Sequence, residues 1–268
     1  MKLRTALTIA GSDCSGGAGI QADLKTFSAH GVFGMSVITS VVAENTSRVI
    51  SVENISPQGI ADQIDAVFED IQVDAVKVGM LNDAEHMSIV AEKLAQYQPA
   101  AIVIDPVMVA KGGHALMQQE ALDTLRKKII PMALILTPNI PEAETIAKMS
   151  IRNVEDMKKA AAAIYAMGAK NVLVKGGHLD GDAVDVLYDG QNYSIYSNER
   201  IDTKNTHGTG CTYSSAIAAN LAKGLAPMAA VQNAKDYVTT AIRYSLAIGK
   251  GHGPTNHFYE LYKKGNLI

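Results

Sequence analysis

Residues 6–27 read ALTIAGSDCSGGAGIQADLKTF, and the changes of character along this stretch decide the fold. ALTIAG (6–11) is a short apolar run of strand type. A glycine cluster follows, GSDCSGGAG (11–19). Then Ile20, Leu24 and Phe27 recur at helical spacing. Strand, glycine turn and helix form one unit, and the chain repeats it.

MSVITSVVA (35–43) and DAVKVGM (74–80) are further strand runs, and AIVIDPVMV (101–109) opens as one. ALILTPN (133–139) and NVLVKGG (171–177) have the same form. Helical patterns cover 60–71, 84–97 and 154–169, and three more helices are expected at 210–223, 226–248 and 256–264. AVDVLYDGQNYSIYS (183–197) reads as a hairpin with Asp189 and Gly190 near its turn. Near-continuous apolar strands are those buried on both faces of a parallel sheet. The expected fold is therefore α/β, a three-layer α/β/α sandwich with a mostly parallel central sheet. No linker-like composition interrupts it, so residues 1–268 are expected to form a single domain.

The 268 residues are 47% apolar with a net charge of −3 and no basic run, which excludes nucleic acid as the main partner. No apolar run reaches the ~18 residues of a membrane span. The opening MKLRTALTIAGSD resembles a signal peptide only superficially, because its short apolar run passes straight into glycines. Cys14 and Cys211 are the two cysteines, and neither lies in a C-x-x-C pair. A cytoplasmic protein is expected.

In an open parallel sheet, ligands bind beyond the carboxyl ends of the strands. Here those ends read AGSD, VAEN, KVGM, VIDP, LTPN and VKGG, so one cleft can collect Asp13, Glu44, Asp105, Asn139 and Lys175. The glycine cluster at 11–19 lacks the Lys-Ser/Thr of a Walker loop and fails G-x-G-x-x-G. It covers a ligand or simply permits unusual backbone angles. TPNIPEAE (137–144) opens a helix, so Glu142 is either a helix-start acid or, with Asn139 and Asp105, an oxygen donor for Mg²⁺. The histidines show no metal-ligand spacing, and His207 is expected to help hold its loop.

NTHGTGCT (205–212) leads into a helix of small residues. The first N–H groups of that helix lack intrahelical partners and, with the dipole, form an anion site. A thiol there, Cys211, is expected to have a lowered pKa. An inert packing role is the alternative.

These motifs, with VIDPVMVAKGG, VKGGH, DTKNTHGTGCTYSSAIAA and GHGPTNHF, resemble the phosphomethylpyrimidine kinases of thiamine biosynthesis, in order and over essentially the whole chain. That family is ribokinase-like. The resemblance implies ATP, Mg²⁺, a homodimer, and two successive phosphoryl transfers, to an aminopyrimidine alcohol and then to its monophosphate. It implies an anion hole at Gly208, Thr209 and Gly210, with Cys211 as the catalytic group. It places Asp105 and Glu142 about the metal, and Asn139, Lys175 and Lys235 about the nucleotide. Gly11, Asp23, Glu44 and Met80 are implied to line the substrate pocket. Glu44 stands where the family often has glutamine, and a carboxylate suits an aminopyrimidine better than pyridoxine. The alternatives are a pyridoxine/pyridoxal kinase, a dinucleotide-dependent oxidoreductase and a non-catalytic ligand sensor. The missing G-x-G-x-x-G argues against the oxidoreductase, and intact Cys211, Asp105 and Glu142 argue against the sensor.

Overall fold

A computed structural model describes residues 3–108, 119–177 and 181–267. The end of VIDPVMVAKGG and His178 of VKGGH therefore lie outside the described residues. Its centre is one sheet in the order β3-β2-β1-β4-β5-β6-β7-β8-β9. The strands are β1 (Thr5–Asp13), β2 (Phe33–Glu44), β3 (Val49–Asn54), β4 (Ala75–Val78) and β5 (Ile102–Ile104), then β6 (Ile135–Leu136), β7 (Val172–Lys175), β8 (Ala183–Tyr188) and β9 (Tyr193–Asn198). From β2 to β7 neighbours run parallel; β3, β8 and β9 add antiparallel edges.

Each central strand divides its side chains between two apolar cores. Leu7, Ile9, Ile102, Ile104, Val172 and Val174 point into one, and Ala6, Val103 and Leu173 into the other. This is the period of two that a strand covered on both faces requires. Helices α2 (Pro57–Phe68), α3 (Ala84–Tyr97), α4 (Gln119–Thr124), α5 (Ile140–Ala147) and α6 (Val154–Tyr165) supply the first core. Helices α1 (Gly19–Ala29), α7 (Thr209–Ala222) and α8 (Pro227–Arg243) supply the second, and a short α9 (Tyr259–Lys264) follows. Residues Thr212–Ala222 of α7 are buried on every side. Ala216, Ala218 and Ala219 let α7 approach the small sheet residues Ala6 and Ala75 closely. A helix enclosed in this way is apolar all round rather than amphipathic.

Element boundaries differ from the sequence reading where backbone chemistry intervenes. β5 stops at Ile104, because Pro106 has no N–H for the ladder. α8 ends at Arg243, not 248, and the chain then turns back to residue 46, with Gly251 N–H donating to Thr46 Oγ1 and His252 N–H to Thr46 O. The sheet order reverses direction between β1 and β4, and the cleft opens there.

Candidate active site

A cavity of about 600 Å³ lies at the carboxyl ends of the strands. Gly11 and Glu44 line it from the ends of β1 and β2, and Met80 from just beyond β4. A Cβ on Gly11 would stand 2.6 Å from Met80 Cε, so glycine makes room for the methionine. Asp105, Asn139, Glu142 and Lys175 form another wall. Residues 208–211, at the start of α7, form a third.

Gly208 caps α7 with φ 76° and ψ 8°, a left-handed conformation natural to glycine. A Cβ there would collide with the carbonyl of Gly17, and one on Gly17 would collide with the His207 ring. The two glycine loops are thus interlocked. Their latch is a hydrogen bond in which His207 Nε2 donates to Asp13 Oδ2 at 2.9 Å, both side chains being buried. Asp13 also accepts from the N–H groups of Ser15 (2.7 Å), Gly17 (3.0 Å) and Ala18 (2.7 Å). Burial alone would raise its carboxyl, but His207 and these donors outweigh burial and hold it far below the ordinary range. Cys14 ties the same loop to β2: its thiol donates to Glu44 O at 3.1 Å. The Glu44 carboxylate comes within 4.8 Å of the polar atoms of Asp13 and His207. His207→Ala removes one partner of the latch and is expected to cost about 3 kcal/mol in urea unfolding, the low end for breaking a buried pair. A loss below ~1 kcal/mol would show that the pair is not what holds the loops.

Three charge pairs lie in or behind the walls. Lys175 Nζ donates to Asp105 Oδ1 at 2.7 Å, and Thr137 Oγ1 donates to the same oxygen at 3.2 Å. Burial pushes the Asp105 carboxyl up, yet the Lys175 and Lys77 ammonium groups outweigh it and hold the carboxyl below its usual value. Lys235 lines the cavity, but its ammonium donates to Asp185 Oδ2 (2.7 Å) and Ala183 O (2.8 Å). Asp185 Oδ1 in turn accepts from Gly176 N–H at 2.9 Å, so the pair braces the turn that follows Lys175. The third pair, Lys77 with Asp23, corrects an expectation. Asp23 does not line the cavity among the described residues. It is fully buried behind the wall, where Oδ2 accepts from Lys77 Nζ at 2.9 Å.

Cys211 brings a second correction. The thiol is half-buried and lines the cavity, but its pKa is raised, not lowered. Burial pushes it up to about 11; the Lys77 charge opposes this, Asp23 and Asp105 add to it, and a Gly19 N–H bond opposes it again. Desolvation of the thiolate outweighs the helix end.

Asn139 and Glu142 form a reciprocal cap on α5: Asn139 Oδ1 accepts from Glu142 N–H, and Glu142 Oε2 accepts from Asn139 N–H. The helix-start role and a ligand role are compatible, since Glu142 also lines the cavity. Burial raises its carboxyl to about 7; Lys175 opposes this and the Asp105 charge adds to it. Two carboxylates close enough to repel, both hard oxygen donors, suit a divalent cation such as Mg²⁺. Without metal, a carboxyl raised in the fold stabilises it fully below its unfolded pKa, and that gain is lost as pH climbs to the folded value. In a metal chelator, the Glu142 contribution to unfolding free energy is therefore expected to fall between about pH 4.5 and 7, opposite in sign to that of His30 and His257, whose rings burial holds down to about 4, so it is read as the difference in slope between wild type and Glu142→Gln. An equal slope in the variant would remove Glu142 as its source.

Sequence reasoning missed Lys77, Asp185 and the Asp13–His207 pairing. A lysine within the buried strand AVKV was the one available signal. The other two join residues 50 and 194 positions apart.

The mostly parallel sheet with helices on both faces and a cleft at its strand ends is the fold of the ribokinase-like kinases, with which the chain superposes. The chain belongs to the phosphomethylpyrimidine kinase family, whose family model matches residues 13–256. It is 47% identical over 269 residues to the hydroxymethylpyrimidine/phosphomethylpyrimidine kinase of Bacillus subtilis (strain 168), covering 100% of this chain and 98% of that one. It is 50% identical over 252 residues to the thiamine biosynthesis bifunctional protein ThiED of Geobacter sulfurreducens, covering 94% of this chain and 51% of that longer protein. Among solved structures, an ADP complex of Bacillus subtilis pyridoxal kinase superposes with a TM-score of 0.92 at 42% identity, covering 97% of this chain and 99% of that one.

Proposed function

We propose that the protein transfers phosphoryl groups from ATP, first to the hydroxymethyl group of 4-amino-5-hydroxymethyl-2-methylpyrimidine and then to the resulting monophosphate, in thiamine biosynthesis. The observation that carries this is the union in one cavity of a backbone anion site at 208–211 with a Glu44 pocket suited to an amine-bearing ring. A carboxylate accepts from an exocyclic amine and a ring N–H⁺ together. The identity to curated pyrimidine kinases supports the same substrate.

Gly208, Gly210 and Cys211 present N–H donors where charge develops on the transferred group, while the Thr209 N–H is given to Thr206 O at 3.2 Å and holds the turn. Asp105 and Glu142 would hold Mg²⁺, which supplies charge neutralisation to phosphate oxygens. Lys175, fixed by Asp105, sits beside them, with Asn139 holding the Glu142 backbone. Lys235 acts on the nucleotide side through Asp185. Gly11, Met80 and Glu44 shape the pyrimidine pocket, and Asp23 supports it from behind. The homodimer and cytoplasmic setting belong to this proposal through the family. No helix among the described residues is long and apolar enough to cross a membrane. The two apolar cores on one sheet support a single domain over 1–268.

In the first transfer the acceptor is an alcohol whose proton must leave, and Cys211 as thiolate is the base. With its thiol at about 11, the first step is expected to quicken as pH rises through 7 to 9, because only the thiolate accepts the proton. The second acceptor is a phosphate monoester with a pKa near 6, roughly fully ionised in that range, and needs no base. Cys211→Ala is expected to slow the first step far more than the second and to abolish its pH slope. Equal losses in the two single-turnover rates would leave Cys211 a positioning group.

The test of the overall reading is to incubate the protein with ATP–Mg²⁺ and, separately, hydroxymethylpyrimidine or pyridoxal, following products by mass spectrometry. One and then two phosphates on the pyrimidine are expected. A single phosphate on pyridoxal, with the pyrimidine untouched, would move the protein to vitamin B6 salvage, the reading that the pyridoxal kinase superposition favours.

A further inference from the structure

Lys77 has no part in the chemistry above, yet it is a fully buried cation at the cavity wall. Its ammonium lies against Gly79; a Cβ on Gly79 would stand 2.6 Å from Nζ, so the glycine leaves the ammonium its space. Among the described residues its one hydrogen-bond partner is Asp23 Oδ2. Asp23 is itself held on three sides, for Thr8 Oγ1 donates to Oδ2 and Ser215 Oγ to Oδ1, each at 2.6 Å. One strand, one neighbouring strand and α7 therefore fix the orientation of the pair. Lys77 lines the cavity and Asp23 does not, so the positive end of the pair is turned toward the cleft. The ordering of influences on Cys211 agrees, since the pull of Lys77 exceeds the opposing push of Asp23. Asp105 also acts on Cys211, and it is paired with Lys175, which Glu142 faces as well.

The two proposed acceptors differ mainly in charge. An alcohol enters the cleft neutral. A phosphate monoester enters with a charge near −2 and must approach a second anion, the phosphoryl group being transferred. Both steps share the donors at 208–211, so something further must offset the added charge of the second acceptor.

We propose that Lys77, oriented by Asp23, is the fixed positive charge that allows one site to accept a phosphate monoester as well as an alcohol. It is a positioning residue acting through its field. The side chain of Lys77 has no solvent exposure, so its charge acts on the acceptor across the wall rather than by contact. The inference rests on the two-step reading given above.

The test compares the two acceptors, added separately with saturating ATP–Mg²⁺, by single-turnover rate and KM. Lys77→Met combined with Asp23→Asn removes both charges together, so neither is left buried alone. This double variant is expected to lower kcat/KM for the monophosphate several-fold, up to about tenfold, more than for the alcohol, the scale of the difference between attraction of a charge near −2 to the ammonium and its repulsion from the more distant carboxylate at an effective dielectric near 20. Asp23→Asn alone keeps the cation and removes its counter-charge, so it is expected to move the ratio the other way. A packing role would depress both acceptors alike and could not produce opposite signs. A ratio unchanged within twofold in the double variant, or shifted in the same direction by both variants, overturns the proposal. Wild-type protein that phosphorylates neither pyrimidine overturns the two-step reading, and this inference with it, before any variant is made.

Discussion

Gly208→Ala is expected to reduce kcat for both phosphoryl transfers by about 10³-fold or more. An alanine at φ 76° costs about 1–2 kcal/mol in backbone energy alone. The larger effect is steric, because the new methyl would occupy the space of the Gly17 carbonyl. One of the interlocked loops must then move, and the N–H donors at the start of α7 move with it. Loss of a single well-placed oxyanion donor costs about 10²–10³ in rate, and here several shift together. Rapid-quench measurement of each step checks this, with thermal unfolding run in parallel. A folded variant retaining a tenth of wild-type kcat would mean that the helix start is not the site of charge stabilisation.

Asp105→Asn is the second large effect. The substitution keeps the shape, but removes the counter-charge of Lys175 and one of the two carboxylates suited to the metal. A fall in kcat of about 10³-fold is expected, from lost charge stabilisation at the phosphates. Stability is expected to drop by about 3 kcal/mol, because the Lys175 ammonium is left without its partner. The two readouts separate the roles: a stability loss with kcat intact would make the pair a structural brace only. A Lys175→Met/Asp105→Asn double variant should regain stability without regaining activity.

What the sequence makes legible follows from the parallel sheet. Once 6–27 is read as strand, turn and helix, the carboxyl ends of the other strands must gather, and Glu44, Asp105, Asn139 and Lys175 do line one cavity. The edges are less legible. β3 is exposed along nearly its whole length, so VISVEN carries no core-facing apolar face to announce a strand. Asp23 shows a deeper limit. Helical spacing puts it on the inward side of α1, but cannot tell a cleft wall from the layer behind it. Only the fit against Lys77, Thr8 and Ser215 decides that. The Cys211 thiol fails for a related reason: a helix start favours a thiolate, but the sequence does not state how little water reaches it. Lys235 comes only from the resemblance, as a residue near the nucleotide, and its engagement by Asp185 depends on a hairpin packing against α8.

The latch between Asp13 and His207 spans 194 positions of chain, and the contact of Asp23 with Ser215 spans 192. During synthesis, a chain emerging from the ribosome carries its first glycine loop long before the segment that seats on it exists. Contacts of such sequence separation form late, since their loop entropy must be met before they reward the fold. The nascent protein can build the β1–β2 neighbourhood and much of the sheet, yet it lacks the proposed anion site until α7 has been made. On the proposed reading, activity is thus tied to the synthesis of α7, and a product truncated at Arg200 would carry all nine described strands of the sheet without the helix start that completes the cleft.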